Sequence, residues 1–225
     1  MEVLDRRRAG VLLHPGSLPG PFGSGVLGSE ARRFVDLIAA AGFTVWQTLP
    51  LGPVDSTLSP YQLKSAFAGN PALIDERETG SLAATDSGSC IAFVRRNRRW
   101  LLPYALFDAL RARYQGVPWW AWPAPLRDRE PAAVRHALSQ ERAAVRRTIS
   151  TQFMFELQWR ALRSYAADKG VSIFGDLPFY VDLDSADVWW HRSLFQLDTE
   201  GRPTAVAGVP PDYFSADGQL WGNPL

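Results

Sequence analysis

Cysteine is nearly absent: Cys90 is the single one in 225 residues. That excludes an internal disulfide and any cysteine-built zinc site, and it fits a reducing compartment. Cys90 itself reads as a small buried apolar residue. An excess of charge is also missing, since 24 Lys plus Arg face 23 Asp plus Glu for a net charge of +1. Nothing electrostatic therefore favours a nucleic acid or a membrane as partner. Long apolar runs are lacking too. The basic start RRRAGVLLHPG is broken by His14 and Pro15 before it reaches the length of a signal core or a membrane span, so a cytoplasmic protein is expected.

The common chemical signatures are likewise not found. His14, His136 and His191 lie far apart and outside an HExxH pattern, which removes the usual metal spacing. No Walker A element supports nucleotide binding, and no GxSxG elbow supports a serine hydrolase. What is abundant is aromatic: nine Trp, six Tyr and twelve Phe. Most of these belong to core packing, but flat rings with polar edges also suit the faces of sugars.

The order of elements points to an α/β chain. AGVLLHP (9 to 15) reads as a buried strand running into a Gly/Pro-rich loop (16 to 28). SEARRFVDLIAAAGF places Phe34, Leu37, Ile38 and Ala41 on one helical stripe, with Ser29 as N-cap and Gly42 as stop. TVWQTLPL (44 to 51) is a second strand, so the opening residues form a βαβ unit with a parallel sheet. Ligands of such sheets meet the loops after the strands, here 14 to 28 and 52 to 71.

From 77 to 150 the chain turns Arg-, Ala- and Trp-rich. LLPYALFDALRARY and PAAVRHALSQERAAVRRTIS read as helices separated by the turn-rich GVPWWAWPAP. This predicts a helical subdomain inserted after the second strand, with RRNRR (95 to 99) as a solvated helix face or an interdomain contact. In 150 to 170 the apolar stripe Met154, Leu157, Ala161, Leu162 and Tyr165, flanked by Phe155 and Trp159, predicts a helix buried on two sides. VSIFGDLPFYV is a third strand with Asp176 in its C-terminal part, and Asp184 with Asp187 resembles a capping pair opening a short helix. Asp176 stands where parallel-barrel enzymes display active-site groups, although an Asp bonding the turn before Pro178 fits the same position. SPYQ (59 to 62) and PPDYF (210 to 214) each set an aromatic ring beside a polar group, as carbohydrate sites do.

The ordered strings GVLLHPGSLPGPFGSGVLG, WQTLPLGP, SPYQLKSAFAGNP, YALFDALRARYQGVPWWAWP, FGDLPFYV, DSADVWW and TAVAGVPPDYFSADGQLWGNPL resemble the N-terminal part of the 4-α-glucanotransferases of glycoside hydrolase family 77, the amylomaltases or disproportionating enzymes. The resemblance implies a partial (β/α)8 TIM barrel of about three strands with an inserted helical subdomain: 1–76 as the first βαβ part, 77–150 as the insert, and 151–225 as the barrel continuation with a lid loop. It implies transfer of α-1,4-glucan segments to glucose or maltooligosaccharide acceptors by a retaining double displacement, which needs two carboxylates and neither metal nor other cofactor.

Carried over residue by residue, Ser59 and Tyr61 match the donor-site SPYQ string, and Asp176 matches a sugar-hydroxyl partner. Asp212, Tyr213 and Phe214 match the loop over the site, and Trp221 matches the Trp that follows it. The implied partners are α-1,4-glucans and maltooligosaccharides.

Three departures stand out, one of them a stretch between NPALID and WLLPYALF shorter than the family's, which suggests a trimmed helical subdomain. The family's nucleophile, acid/base and third acid sit in Arg-Ile-Asp-His, Glu-Asp-Leu-Gly and Thr-His-Asp-Asn strings, none of which occurs in the chain. Before SPYQ, VDSTL replaces a Gly-Tyr-Gly-Asp sequence, with Ser56 near the place of its Tyr. The expectation is a chain inactive alone, the alternative being a non-enzymatic glucan-binding remnant or truncated gene product. Three strands would leave a sheet with an unpaired edge and exposed apolar surface.

Overall fold

The computed structural model describes residues 7–20, 23–55, 58–79, 87–178 and 180–225; Ser56 lies outside them. Two compact units are present. One comprises Met1–Pro53, Gly69–Arg95 and Ser150–Leu177, the other Val54–Ala68, Arg96–Ile149 and Pro178–Leu225.

The first unit carries a parallel sheet of β1 (Gly10–Leu12), β2 (Val45–Gln47) and β3 (Ser172–Phe174) in that order. Register pairs Val11 with Trp46 and Ile173, and Leu12 with Gln47 and Phe174. Because side chains alternate across a strand, the Val11, Trp46 and Ile173 row packs into the helix-side core with Phe34, Val35, Phe155 and Leu162. The opposite face, which carries Leu12 and Phe174, is exposed.

Helix α1 (Ser29–Ala40) forms as the pattern requires and stops at Gly42, whose φ of 84° suits a residue without a β-carbon. Its buried row is Ala31, Val35 and Ile38, while Leu37 is exposed. Spacing placed the stripe about one residue off because Val35 was left out of it. Ser29 is the first helical residue rather than the cap; Gly28 holds the N-cap position with no side-chain bond.

The string Gly23-Ser24-Gly25-Val26-Leu27-Gly28 has G-x-G-x-x-G spacing ahead of α1, yet it is not the strand-to-helix turn of a dinucleotide site. β1 ends at Leu12, well before it, and the backbone N–H groups of Gly25 and Leu27 donate to Gly16 and Leu73 carbonyls. Its amides serve loop packing.

Among the described residues α1 is followed by α2 (Ser87–Arg113), the short α3 (Ala124–Arg127), α4 (Pro131–Gln140) and α5 (Arg142–Asp168). α5 is continuous through residue 150, where the sequence suggested separate helices; the break falls instead at Glu141, the C-cap of α4. The buried side of its second half is Gln152, Phe155, Gln158, Leu162 and Ala166, and Ala161 is exposed. Two glutamines on that row explain the difference from the apolar stripe.

Gln152 accepts from the Gly69 N–H and donates to the Gly69 carbonyl, both at 2.8 Å. Gln158 does the same for Asp75, again at 2.8 Å in each direction. A primary amide thus replaces the partner strand that buried irregular backbone lacks. Gly69 has to be glycine, since a β-carbon there would overlap the Phe155 ring. In the same unit Tyr165 donates to the Asp36 carboxylate at 2.8 Å, joining α5 to α1.

The second unit is organised around aromatic rings. Phe107, Trp122 and Trp189 meet pairwise with centroids 5.4 to 5.9 Å apart. Trp119 is fully buried in the same cluster. Most of the aromatic surplus in the turn-rich GVPWWAWPAP is therefore core. Helix α6 (Ala186–Trp190) supplies Val188 and Trp189 to it, and an antiparallel pair, β4 (Val206–Val209) with β5 (Gln219–Pro224), closes the chain. Arg95, Arg96, Arg98 and Arg99 are exposed on α2, as expected of a solvated face, whereas Cys90 is half-buried rather than in the core. Among the described residues no helix is long and apolar enough to cross a membrane.

Replacing Gln158 by Leu strands the buried N–H and C=O of Asp75. The variant is expected to lose about 3 kcal/mol of stability, read as a lower urea midpoint at unchanged slope; an unaltered midpoint would refute the clamp.

Candidate functional site

In the second unit the SPYQ segment lies in a loop closed by an antiparallel bridge between Val54 and Leu63. Ser59 shapes it: its hydroxyl accepts from the Tyr61 N–H at 3.4 Å and its carbonyl from the Gln62 N–H at 3.1 Å. Tyr61 is 47% exposed.

What holds this loop is a largely buried ion cluster. Lys64 Nζ lies 3.4 Å from Asp182 and 3.6 Å from Asp184, and Arg111 of α2 sits against the same Asp184 carboxylate. Asp184 also accepts from the Trp119 N–H at 3.3 Å, and Asp182 from the Asp184 N–H at 2.9 Å. The Lys64 carbonyl accepts from Ala186 N–H, and the Asp187 carboxylate from Ala66 N–H, each at 2.9 Å. The start of α6 and the SPYQ loop are in this way bonded through both backbone and charge.

Ser185, not Asp184, is the N-cap of α6, accepting from Val188 N–H at 3.3 Å. The expected capping pair is corrected for a physical reason: both of its carboxylates are spent on the neighbouring loop and helix. Burial pushes the Asp182 carboxyl above its ordinary value, with Lys64 opposing the shift. Burial does the same to Asp187, opposed by the Ala66 N–H.

The lid residues form the tip of the β4–β5 hairpin. Asp212 Oδ1 accepts from the N–H groups of Phe214 and Ser215 at 2.9 and 2.8 Å. The carboxylate thereby builds the turn. Tyr213 and Phe214, their rings perpendicular with centroids 5.5 Å apart, are 97% and 89% exposed. Trp221 on β5 packs edge-on against Tyr180 at 5.8 Å, and Asn223 donates to the Val181 carbonyl at 2.9 Å.

In the first unit Asp176 is exposed in the loop beyond β3, which ends at Phe174 rather than running through the aspartate. It stands at the carboxyl end of the parallel sheet, where His14 follows β1 and Thr48 follows β2. His14 Nδ1 accepts from Gly16 N–H at 3.1 Å, and burial holds its imidazole below the usual value, partly offset by a bond to the Pro50 backbone. No cluster of metal-ligating side chains is found among the described residues.

Sequence reasoning did not find Lys64 or Arg111. The signal for Lys64 was its rarity, as one of two lysines (Lys64 and Lys169) in an Arg-rich chain. Lys64→Met leaves Asp182 and Asp184 with a lost partner and is expected to cost about 3 kcal/mol in urea unfolding; a change below about 1 kcal/mol would show the cluster to be solvent-screened.

The raised Asp187 pKa sets a sign. The folded state binds this proton more tightly than the unfolded chain, so its contribution to stability grows as pH falls through the folded value. The difference in unfolding free energy between the unaltered chain and Asp187→Asn is expected to shift toward the unaltered chain between about pH 7 and about pH 4. A flat difference would contradict the burial effect.

A family model described as 4-alpha-glucanotransferase matches residues 13–87 and 76–225. The chain is 46% identical to the 4-alpha-glucanotransferase of Thermus thermophilus over 97% of its own length and 52% of that protein's. It is 38% identical to the chloroplastic/amyloplastic 4-alpha-glucanotransferase of Solanum tuberosum, covering 98% of the chain and 46% of the relative. Its fold superposes on the amylomaltase of Streptococcus agalactiae, solved in complex with acarbose, with a TM-score of 0.89 at 33% identity over 97% of this chain and 53% of the other. The chain spans about half the length of the curated relatives it matches, and its α/β fold with three parallel strands is that of part of an amylomaltase. It belongs to the 4-alpha-glucanotransferase family.

Proposed function

We propose that this chain is the glucan-gripping part of a 4-α-glucanotransferase that moves α-1,4-glucan segments between oligosaccharides in the cytoplasm. The observation that carries the reading is the hairpin tip. Two aromatic rings stand almost wholly in water on a turn that Asp212 holds in shape, an arrangement that costs solvation unless a ligand covers it. Tyr61, exposed on a loop anchored by buried charge, is the second ring. The acarbose complex of the Streptococcus agalactiae relative supports an oligosaccharide as ligand.

In this reading Tyr61 stacks on the donor sugar and Ser59 shapes its loop. Asp176 bonds a sugar hydroxyl, and Tyr213 and Phe214 cover the acceptor side, with Trp221 behind them. Such a cover disfavours water at a glycosyl-enzyme intermediate and so favours transfer over hydrolysis. Asp212 is a positioning residue, because its carboxylate is occupied by backbone N–H groups. The three strands form part of a (β/α)8 barrel, and residues 77–150 are the inserted helical subdomain. The strings that carry the family's catalytic acids are not among the 225 residues, so the chain grips glucan and does not cleave it alone.

Maltoheptaose is expected to change the Trp fluorescence of the chain, and Tyr61→Ala to abolish the change; no response from the unaltered chain would defeat the reading. Maltotriose disproportionation by the purified chain would overturn its inactivity alone. Asp212→Asn, which can still accept the two N–H bonds, is expected to keep the maltoheptaose response that Asp212→Ala weakens; equal loss in both would assign Asp212 to the sugar.

A further inference from the structure

We infer that Leu58 is a specificity-determining residue, an apolar contact that makes the loop displaying Tyr61 prefer longer oligosaccharides to short ones. The inference rests on the reading that this loop grips an α-1,4-glucan.

Three residues other than glycine have positive φ among the described residues: Leu58 at 58°, Gln115 at 53° and Arg129 at 58°. Two of them are explained by where they stand. Gln115 lies in the turn that ends α2 and Arg129 in the turn that ends α3, a place where one left-handed residue commonly closes a helix. Leu58 adjoins no helix among the described residues. Its β-carbon crowds the backbone in the left-handed region, which Gly, Asn and Asp enter more readily.

Core packing does not account for the conformation either. Leu58 is 75% exposed, so the strained backbone holds an apolar side chain in water. Neither half of that arrangement favours folding, because the φ angle is unfavourable and an uncovered leucine gains nothing from burial. Strain of this kind gathers at segments that meet a ligand, where neighbouring contacts keep it in place.

Those contacts are present. The Leu58 N–H donates to the Asp55 carbonyl at 3.2 Å, the following residue, Ser59, accepts from the Tyr61 and Gln62 N–H groups, and the Val54–Leu63 bridge closes the loop. Leu58 therefore stands three residues before Tyr61 on one closed loop, within about 11 Å of it along the chain. An oligosaccharide stacked on Tyr61 has further rings beyond that point, and their C–H faces suit an aliphatic side chain as they suit an aromatic one. A short ligand that fills only the Tyr61 position leaves Leu58 uncovered. Leu58 also belongs to VDSTL, a string in which the chain departs from the family's pattern, so the contact is this chain's own.

The test titrates maltoheptaose and maltotriose calorimetrically against the unaltered chain, Leu58→Asn and Leu58→Met, and unfolds each protein in urea. Asn fits the left-handed backbone and removes the apolar surface. Leu58→Asn is accordingly expected to raise the urea midpoint while lowering the ratio of maltoheptaose to maltotriose affinity at least about fivefold. Leu58→Met, which restores apolar reach on the same backbone, is expected to recover that ratio without the rise in midpoint. A midpoint that does not rise in Leu58→Asn shows an unstrained backbone, and an unaltered ratio shows no contact beyond Tyr61; either result overturns the inference. Loss of maltoheptaose binding in Tyr61→Ala but not in Leu58→Asn defeats the role of Leu58 and leaves the glucan reading standing. No heat from the unaltered chain with either sugar defeats that reading, and this inference with it.

Discussion

Lys64, Asp182, Asp184 and Arg111 impose the constraint on which the second unit turns. Taking four ionisable groups largely out of water is costly unless each finds opposite charge. The chain supplies the opposite charges by bringing remote segments together: the SPYQ loop, helix α2, the Trp119 turn and the approach to α6. None of these can move without uncovering a charge. The loop that displays Tyr61 is consequently held in place at its far end.

The first unit solves a related problem without charge. Its segment from Gly69 to Asp75 has no regular secondary structure beyond a turn, yet it runs against α5. Gln152 and Gln158 each offer a donor and an acceptor to one residue of that segment. A neutral amide is cheaper to bury than an ion and as directional. Ionic fixation near the exposed aromatic rings and amide fixation beneath the sheet are two ways of making irregular backbone behave as if it were regular.

The strands and α1 were legible because apolar spacing and glycine punctuation act locally. Gly42 ends its helix through its own backbone angle, and no distant partner is needed. The face of α5 was not legible: its buried glutamines look polar in sequence, and only the loop they clasp makes them interior. Asp184 and Asp187 were misread in the same way, since a D-S-A-D string looks like a local cap until Lys64 and Ala66 claim the carboxylates. For the hairpin, resemblance located Tyr213 and Phe214, but spacing did not reveal that Asp212 faces backbone rather than solvent. The general limit is that a side chain's long-range partner leaves no mark on its neighbours in sequence.

Gly69 and Phe155 touch so closely that no side chain fits between them. The two positions therefore cannot drift independently over evolutionary time. A larger residue at 69 becomes acceptable only after the ring at 155 has shrunk, and the shrunken ring by itself opens a cavity in the core of the first unit. Each route passes through a less stable intermediate, so the pair acts as a ratchet that keeps the turn after SPYQ in one shape while the surface around it is free to vary.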